Sequence, residues 1–364
     1  MRSFKNLLVT GGSGFIGANF IHYLFGEPGF AGRLINLDKL TYAGNPENLA
    51  RIVETFGERY VFAHGDICDA DLVTDLVKRY EVDGIVHFAA ESHVDRSILG
   101  PKDFIQTNIL GTFTLLEVAR QAHQQGKPIH FHHVSTDEVF GSLGEQGFFF
   151  ESTPYAPRSP YSASKASSDH LVAAYHHTYG LPVTVSNCSN NYGPYQFPEK
   201  LIPLMILNML EKKSLPIYGD GLYIRDWLYV TDHCEGIWAI ATKGRNGETY
   251  NIGGENEKTN LAVLDALIAE VACQTSDSAD TFHKLKTTVP DRPGHDRRYA
   301  INCDKIASEL GWRPRTDFSS GIEKTVRWYL SNPAWIDHVR SGAYKTWLDK
   351  NYTSRGDHAT SKGV

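Results

Sequence analysis

The sequence is poor in cysteine and lacks the apolar runs and charge excess that mark several protein classes. Its five cysteines are scattered, odd in number and without a Cys-x-x-Cys pair, which predicts a reduced, cytoplasmic protein rather than a disulfide framework. No apolar run is long enough to span a bilayer, and no secretory apolar region is expected near Met1. A formal net charge of −6 predicts neither a nucleic-acid nor a membrane partner.

Histidine is plentiful, but its placement does not predict a metal site. His130, His132 and His133 crowd one apolar run. On a strand His133 faces away from the other two, and the sequence places no third ligand beside them. We therefore expect no metal.

Short apolar runs alternate with helical patterns through the first half of the chain. The runs predict strands at residues 7–9, 34–37, 60–62, 84–88, 129–134 and 183–185, with helices around 70–80 and 103–125. This alternation predicts an α/β fold, a Rossmann-like doubly wound parallel sheet with helices on both faces. Functional sites in such sheets lie at the carboxyl ends of the strands.

A glycine-rich turn follows the first predicted strand. Gly11, Gly14 and Gly17 are spaced to allow a tight turn, close approach to a pyrophosphate and close packing of the next helix. Asp38 ends the second strand, where a carboxylate accepts from a ribose hydroxyl and repels a 2′-phosphate, so NAD is favoured over NADP. Asp66 is placed to approach the adenine, and the equally good alternative, which is compatible with the first, is a helix N-cap at Asp66 or Asp69.

Tyr161 and Lys165 are four residues apart, so they share one face of a predicted helix. A nearby ammonium, together with a positive nicotinamide, favours the phenolate and makes Tyr161 a candidate base. The alternative is an ordinary surface pair, which the upstream dinucleotide turn makes the weaker interpretation.

Thr136, Asp137 and Glu138 follow the strand that ends at Val134, at the predicted active edge of the sheet. Two adjacent carboxyl groups can differ in pKa and act as an acid and a base. The alternative is a turn cap and a solvated side chain. Two carboxylates are more than an alcohol oxidation needs, so a further proton transfer is expected.

The chain resembles the extended short-chain dehydrogenase/reductases and, among them, the dTDP-glucose 4,6-dehydratases. The resemblance rests on residues 10–17, 88–97, 135–141, 159–169, 188–203, 225–230 and 291–299. It implies a cytoplasmic homodimer that converts dTDP-glucose to its 4-keto-6-deoxy derivative and recycles tightly held NAD.

The resemblance also implies a role for each catalytic residue. Tyr161, helped by Thr136 and Lys165, removes the C4 hydroxyl proton. Glu138 then removes the C5 proton, and Asp137 protonates the departing C6 hydroxyl.

By the same resemblance, two further sets of residues bind the ligands. The cofactor set is Gly11, Gly14, Phe15, Ile16, Gly17, Asp38, Lys39, Leu40, Thr41, Asp66, Ile67, Ala89, Ala90, Thr107, Tyr161, Lys165 and Asn191. The nucleotide-sugar set is Ser92, Thr136, Asn190, Lys200, Leu201, Pro216, Ile217, Tyr218, Arg225, Asn260, Arg292 and His295.

The chain is expected to divide near residue 190, where the alternation of strands and helices loosens. Residues 1–190 are expected to form the NAD-binding Rossmann domain, which carries the catalytic residues. Residues 191–350 are expected to form mainly a smaller α/β lobe for the nucleotide sugar, with some segments returning to the first domain. Residues 351–364 are polar and expected to be disordered.

Two other functions stay open on sequence grounds. One is a related enzyme, either a dehydratase of UDP- or GDP-sugars or a 4-epimerase. The Asp137–Glu138 pair argues against the epimerase, which needs no elimination. The other is a non-catalytic NAD-binding regulator, which typically loses the tyrosine or the lysine that this chain retains.

Overall fold

The computed structural model describes residues 1–26, 30–127, 129–291 and 295–340. The strands are β1 (Asn6–Thr10), β2 (Arg33–Asp38), β3 (Tyr60–His64), β4 (Gly84–His87), β5 (His130–Thr136), β6 (Val183–Cys188), β7 (Asn190–Tyr192), β8 (Leu215–Tyr218), β9 (Ile224–Tyr229), β10 (Thr249–Ile252), β11 (Glu257–Thr259) and β12 (Lys286–Val289). The helices are α1 (Phe15–Gly26), α2 (Ala50–Phe56), α3 (Ala70–Arg79), α4 (Val94–Leu99), α5 (Pro101–Phe104), α6 (Thr112–Gln124), α7 (Pro160–Tyr179), α8 (Leu201–Leu210), α9 (Val230–Lys243), α10 (Asn260–Thr275), α11 (Ala279–His283), α12 (Asp304–Leu310), α13 (Phe318–Ser331) and α14 (Pro333–Arg340).

The main sheet has seven parallel strands in the order β10-β6-β5-β4-β1-β2-β3. Every residue of β5 and β6 is buried, as expected for strands covered by helices on both faces. β1 and β4 lie side by side, and the order of the chain reverses there. Such a switch point opens a crevice at the carboxyl ends of the strands. The predicted α/β fold with a doubly wound parallel sheet is confirmed.

The later part of the chain contributes both to this sheet and to a second core. β10 pairs in parallel with β6 and forms one edge of the main sheet. Two small sheets, β11-β9-β7 and β12-β8, lie apart from it. Buried side chains of α8, α10 and α13, among them Ile206, Leu267 and Val326, form a separate apolar cluster.

Local signals define α7, which carries Tyr161 and Lys165. Ser159 accepts from the Ser162 backbone N–H and the Ser162 side chain accepts in return, which makes a capping box. Pro160 occupies the first helical position, and Gly180 ends the helix with φ 71°.

The predicted helix over residues 103–125 is interrupted in the structure. A π-helix at Ile105–Gly111 joins α5 to α6, a device often found beside functional sites. Within it, the Asn108 side chain accepts from the Glu91 N–H and donates to the Ser164 hydroxyl at 2.8 Å. Over the described ranges, no helix combines the length and apolar character that crossing a membrane requires.

Candidate active site

One cleft runs along the carboxyl ends of β1, β2, β4, β5 and β6, and most of the predicted site residues line it. All five predicted catalytic residues are present: Thr136, Asp137, Glu138, Tyr161 and Lys165. Of the predicted cofactor residues every one except Leu40 lines the cleft. Four predicted substrate residues line it as well: Ser92, Thr136, Asn190 and Lys200.

The glycines of the first turn have three different steric roles. A Cβ on Gly11 would lie 2.6 Å from the Ala89 backbone nitrogen, and its φ of 72° favours glycine. A Cβ on Gly17 would lie 2.3 Å from the Gly11 carbonyl oxygen, so this glycine allows α1 to pack against the turn. A Cβ on Gly14 would meet only that same oxygen, at 3.4 Å, and would otherwise project into open space. The turn is therefore open to a pyrophosphate beside Gly14.

Asp38 lies at the end of β2 and organises the backbone around it. Its carboxylate accepts from the Ser13 N–H at 2.9 Å and the Leu40 N–H at 2.8 Å. Burial raises the pKa of Asp38 despite these hydrogen bonds. The Lys39 ammonium forms an ion pair with the Asp66 carboxylate at 2.7 Å. Asp69, rather than Asp66, caps α3.

Asp137 has the environment of a protonated acid. Asp137 is 2% exposed. Its pKa is raised well above the ordinary value, first by burial and then by the negative charges of Glu138 and Asp226. Among the described residues no group hydrogen-bonds its Oδ2 atom. Glu138, the next residue, is only half-buried. The two neighbouring carboxyl groups therefore differ in solvation.

Tyr161 is buried against Phe104 and Val94. Burial, then the charge of Glu138, raises the pKa of the Tyr161 phenol well above its ordinary value. Protein groups alone hold Tyr161 as a phenol. The prediction that its pKa is lowered therefore depends on the added positive charge of a nicotinamide.

Lys165 is buried in the wall of the cleft, within a polar cluster that sequence reasoning missed. Its ammonium donates to the Val134 carbonyl at 2.8 Å and lies 3.4 Å from His133 Nε2. The same His133 atom lies 3.2 Å from Asp169, which also accepts from Ser135 at 2.8 Å. Burial lowers the pKa of Lys165, and the charge of Asp169 opposes that effect. The signal for Asp169 was its position, four residues after Lys165 on α7.

The remaining predicted substrate residues lie outside the lining of this cleft. Arg225 is buried, donates to the Ile224 and Asp296 carbonyls and stacks 4.3 Å from the Tyr299 ring. His295 pairs with Asp291 at 2.7 Å. The others lie on β8 or at the start of α8 and α10: Leu201, Pro216, Ile217, Tyr218 and Asn260. Arg292 is outside the described residues.

Several lining residues were not predicted from the sequence. Glu91, Gln196, Phe197 and Glu199 line the cleft beside the predicted residues. Among the described residues, no group of three or more His, Cys, Asp or Glu side chains is arranged to hold a metal ion.

Comparison with known proteins agrees with this geometry. The family model described as GDP-mannose 4,6 dehydratase matches residues 8–325. The chain is 53% identical to dTDP-glucose 4,6-dehydratase 1 of Escherichia coli (strain K12), over 96% of this chain and 99% of that protein.

Two solved structures show the same fold. The crystal structure of DesIV, a dTDP-glucose 4,6-dehydratase from Streptomyces venezuelae with NAD bound, is 46% identical with a TM-score of 0.84, over 92% of this chain and 99% of that chain. UDP-glucose 4-epimerase from Thermotoga maritima is 27% identical with a TM-score of 0.79, over 90% of this chain and 99% of that chain. Since sequence identity to the dehydratases is far greater and extends over 96% of the chain, the chain belongs to the dTDP-glucose 4,6-dehydratase family.

Proposed function

We propose that the chain is an NAD-dependent dTDP-glucose 4,6-dehydratase, a hydro-lyase that forms dTDP-4-keto-6-deoxyglucose and water. One observation carries the proposal: a buried acid, a second carboxylate and a Tyr–Lys pair line the same cleft as a dinucleotide-binding turn. An epimerase does not need the two carboxyl groups, whereas elimination of water needs an acid and a base.

The residues of the turn fit NAD. The open space beside Gly14 accommodates a pyrophosphate at the start of α1, where free N–H groups favour anions. The Asp38 carboxylate suits a ribose diol and disfavours a 2′-phosphate. When bound, NAD supplies a hydride acceptor for C4 and a hydride donor for C6 of the sugar. Restoration of NAD in each turnover makes it a resident cofactor rather than a substrate.

Tyr161 and Thr136 act on the C4 hydroxyl. Both residues line the cleft, so Thr136 orients the sugar hydroxyl while Tyr161 accepts its proton. The positive charge of Lys165, added to that of a bound nicotinamide, would favour the phenolate form of Tyr161, which becomes a phenol when it accepts the proton. Loss of that proton together with the C4 hydride leaves a 4-ketone, which acidifies the proton on C5.

Asp137 and Glu138 then carry out the elimination. Glu138, the more exposed carboxylate, takes the C5 proton, while Asp137, buried and protonated, gives its proton to the departing C6 hydroxyl. The pair of electrons from the C5–H bond forms the C5–C6 double bond as water leaves. Addition of hydride at C6 and return of the proton from Glu138 to C5 complete the 4-keto-6-deoxy sugar.

The nucleotide end of the substrate is assigned to the later part of the chain. We assign residues 1–190 to the NAD-binding domain and 191–350 mainly to a nucleotide-sugar lobe, supported by the separate apolar cluster of α8, α10 and α13. Lys200 Nζ, which donates to the Ser92 carbonyl at 3.2 Å, lies at the boundary between them. Residues 351–364, whose disorder was predicted, lie outside the described residues.

A homodimer in the cytoplasm is part of the proposal. Leu99, Ile105 and Phe113 are 75%, 52% and 43% exposed on α4, the π-helix and α6, which suits an apolar contact with a second copy. Light scattering across a concentration series tests the dimer, and substituting Phe113 with lysine is expected to favour the monomer.

The decisive experiment is incubation of the purified protein with dTDP-glucose and no added NAD. A product lighter by one water, with the alkali-induced absorbance of a 4-keto sugar, supports dehydration and a retained cofactor together. An unchanged mass with formation of dTDP-galactose indicates an epimerase. If only UDP- or GDP-glucose analogues react, the enzyme class stands and the nucleotide assignment is wrong.

A further inference from the structure

A side-chain contact joins two loops that are far apart in the sequence and that both contribute residues to the cofactor cleft. The cofactor loop, residues 39–44, follows β2, and the substrate loop, residues 194–200, precedes α8. Residues of both loops line the cleft. The Tyr42 hydroxyl of the first donates to the Glu199 carboxylate of the second at 3.1 Å.

The Tyr42–Glu199 contact lies in a packed, charged setting. Glu199 is 6% exposed, and Arg96 Nε lies 3.4 Å from its second oxygen. The Arg96 guanidinium also lies over the Tyr42 ring, 3.6 Å from its centre. Phe197 meets the same ring edge-on at 5.6 Å. A hydrogen bond to a buried carboxylate is stronger than one exposed to water, so this contact is more than incidental.

The backbone on both sides is held in an unusual conformation. Leu40 has φ 52° and Tyr195 has φ 65°, in the left-handed region that residues other than glycine rarely adopt. Such conformations persist where the surroundings determine them. The Leu40 N–H is held by Asp38, and the Tyr195 ring is stacked on His22 at 5.4 Å. Each loop is therefore anchored to the first domain independently of the contact between them.

We propose that Tyr42 and Glu199 form a strap that closes over bound NAD and slows its release. The inference rests on the proposed NAD site. Recycling of the cofactor requires that NAD stay bound between turnovers, and we assign that task to these two side chains. Release of NAD then needs the two loops to separate, which breaks the Tyr42–Glu199 hydrogen bond. Because Glu199 adjoins Lys200 in the nucleotide-sugar set, the strap also links cofactor retention to the substrate loop.

The test measures NAD release rather than activity. Protein loaded with labelled NAD is chased with excess unlabelled NAD, and the retained label is followed by rapid desalting. Tyr42→Phe removes only the donor hydroxyl, and Glu199→Gln removes the charge; each is expected to speed release about tenfold, the effect of losing one hydrogen bond to a charged group. The double variant is expected to release NAD no faster than the faster single variant, since both substitutions weaken the same contact.

Tyr250→Phe is the matched control. It removes a Tyr–Glu hydrogen bond of 2.9 Å, to Glu309, at the β10 edge of the sheet, and is expected to leave release unchanged. The proposal would be overturned if Tyr42→Phe released NAD at the wild-type rate. It would also be overturned if the increases in release rate of the two single variants multiplied in the double variant. If Tyr42→Phe does not fold, Glu199→Gln alone decides. Turnover of dTDP-glucose by the wild type is measured in parallel, so failure of the dehydratase assignment is recognised separately.

Discussion

The Lys165 ammonium donates to the Val134 carbonyl at 2.8 Å, two residues before Thr136. This bond ties α7 to the end of β5, so the Tyr–Lys pair and the two carboxyl groups are held by one rigid junction. Catalytic groups kept in place by packed elements need little reorganisation during reaction.

Tyr161→Phe is expected to lower turnover by about 100-fold or more, because it removes the proposed base for the C4 hydroxyl. The first hydride transfer, read as the absorbance of reduced nicotinamide in a single turnover, is expected to slow equally. NAD content is expected to be unchanged. A variant with normal hydride transfer would contradict the proposed role.

Glu138→Gln and Asp137→Asn are expected to block different halves of the elimination. In deuterated water, Asp137→Asn is expected to exchange the C5 proton of the sugar for deuterium but to form little dehydrated product. Glu138→Gln is expected neither to exchange that proton nor to form the product. Oxidation at C4 remains measurable in each variant. The reverse exchange pattern would show that the two roles are exchanged.

Asp137 is expected to make stability fall as pH rises. Burial raises its pKa in the folded state above the unfolded value, so the unfolded chain loses this proton first. Its contribution to the free energy of unfolding is complete below the unfolded-state pKa and is lost as pH rises through the folded-state pKa. Asp137→Asn mimics the protonated form, so its Tm relative to wild type is expected to increase from acid to neutral pH. A constant difference would refute the buried, protonated state.

Asp169→Asn is expected to lower the pKa of Lys165, because the charge of Asp169 opposes the effect of burial. The alkaline limb of the pH–rate profile, where Lys165 loses its proton, is then expected to move to lower pH. Asp169→Glu keeps the charge and should largely restore the profile. His133, Ser135 and Asn187 face the same carboxylate and remain in both variants. An unshifted limb would indicate a purely structural role.

Gly17→Ala is expected to weaken NAD binding at least about tenfold, since its Cβ would lie 2.3 Å from the Gly11 carbonyl and displace the turn. Gly26→Ala, at the other end of α1, meets no atom within 4 Å and is expected to bind NAD normally while stabilising the helix. Equal binding by both variants, in a titration followed by calorimetry, would contradict the steric role of Gly17.

The sequence by itself determined the features that depend on spacing along the chain. The Gly11–Gly17 turn, the Tyr161–Lys165 pair and the capped start of α7 follow from local geometry, and the apolar runs predict six of the seven strands in the main sheet. The parallel arrangement followed because strands alternate with helices.

Only the tertiary structure decided the features that depend on packing between distant segments. β10 is a four-residue strand whose place is set by pairing with β6, more than sixty residues earlier. The Tyr42–Glu199 strap joins residues 157 positions apart. The pKa of Asp137 is raised by burial and also by the charge of Asp226, which lies far away in the sequence. Contacts and desolvation of this kind arise when the chain closes on itself, so no local spacing encodes them.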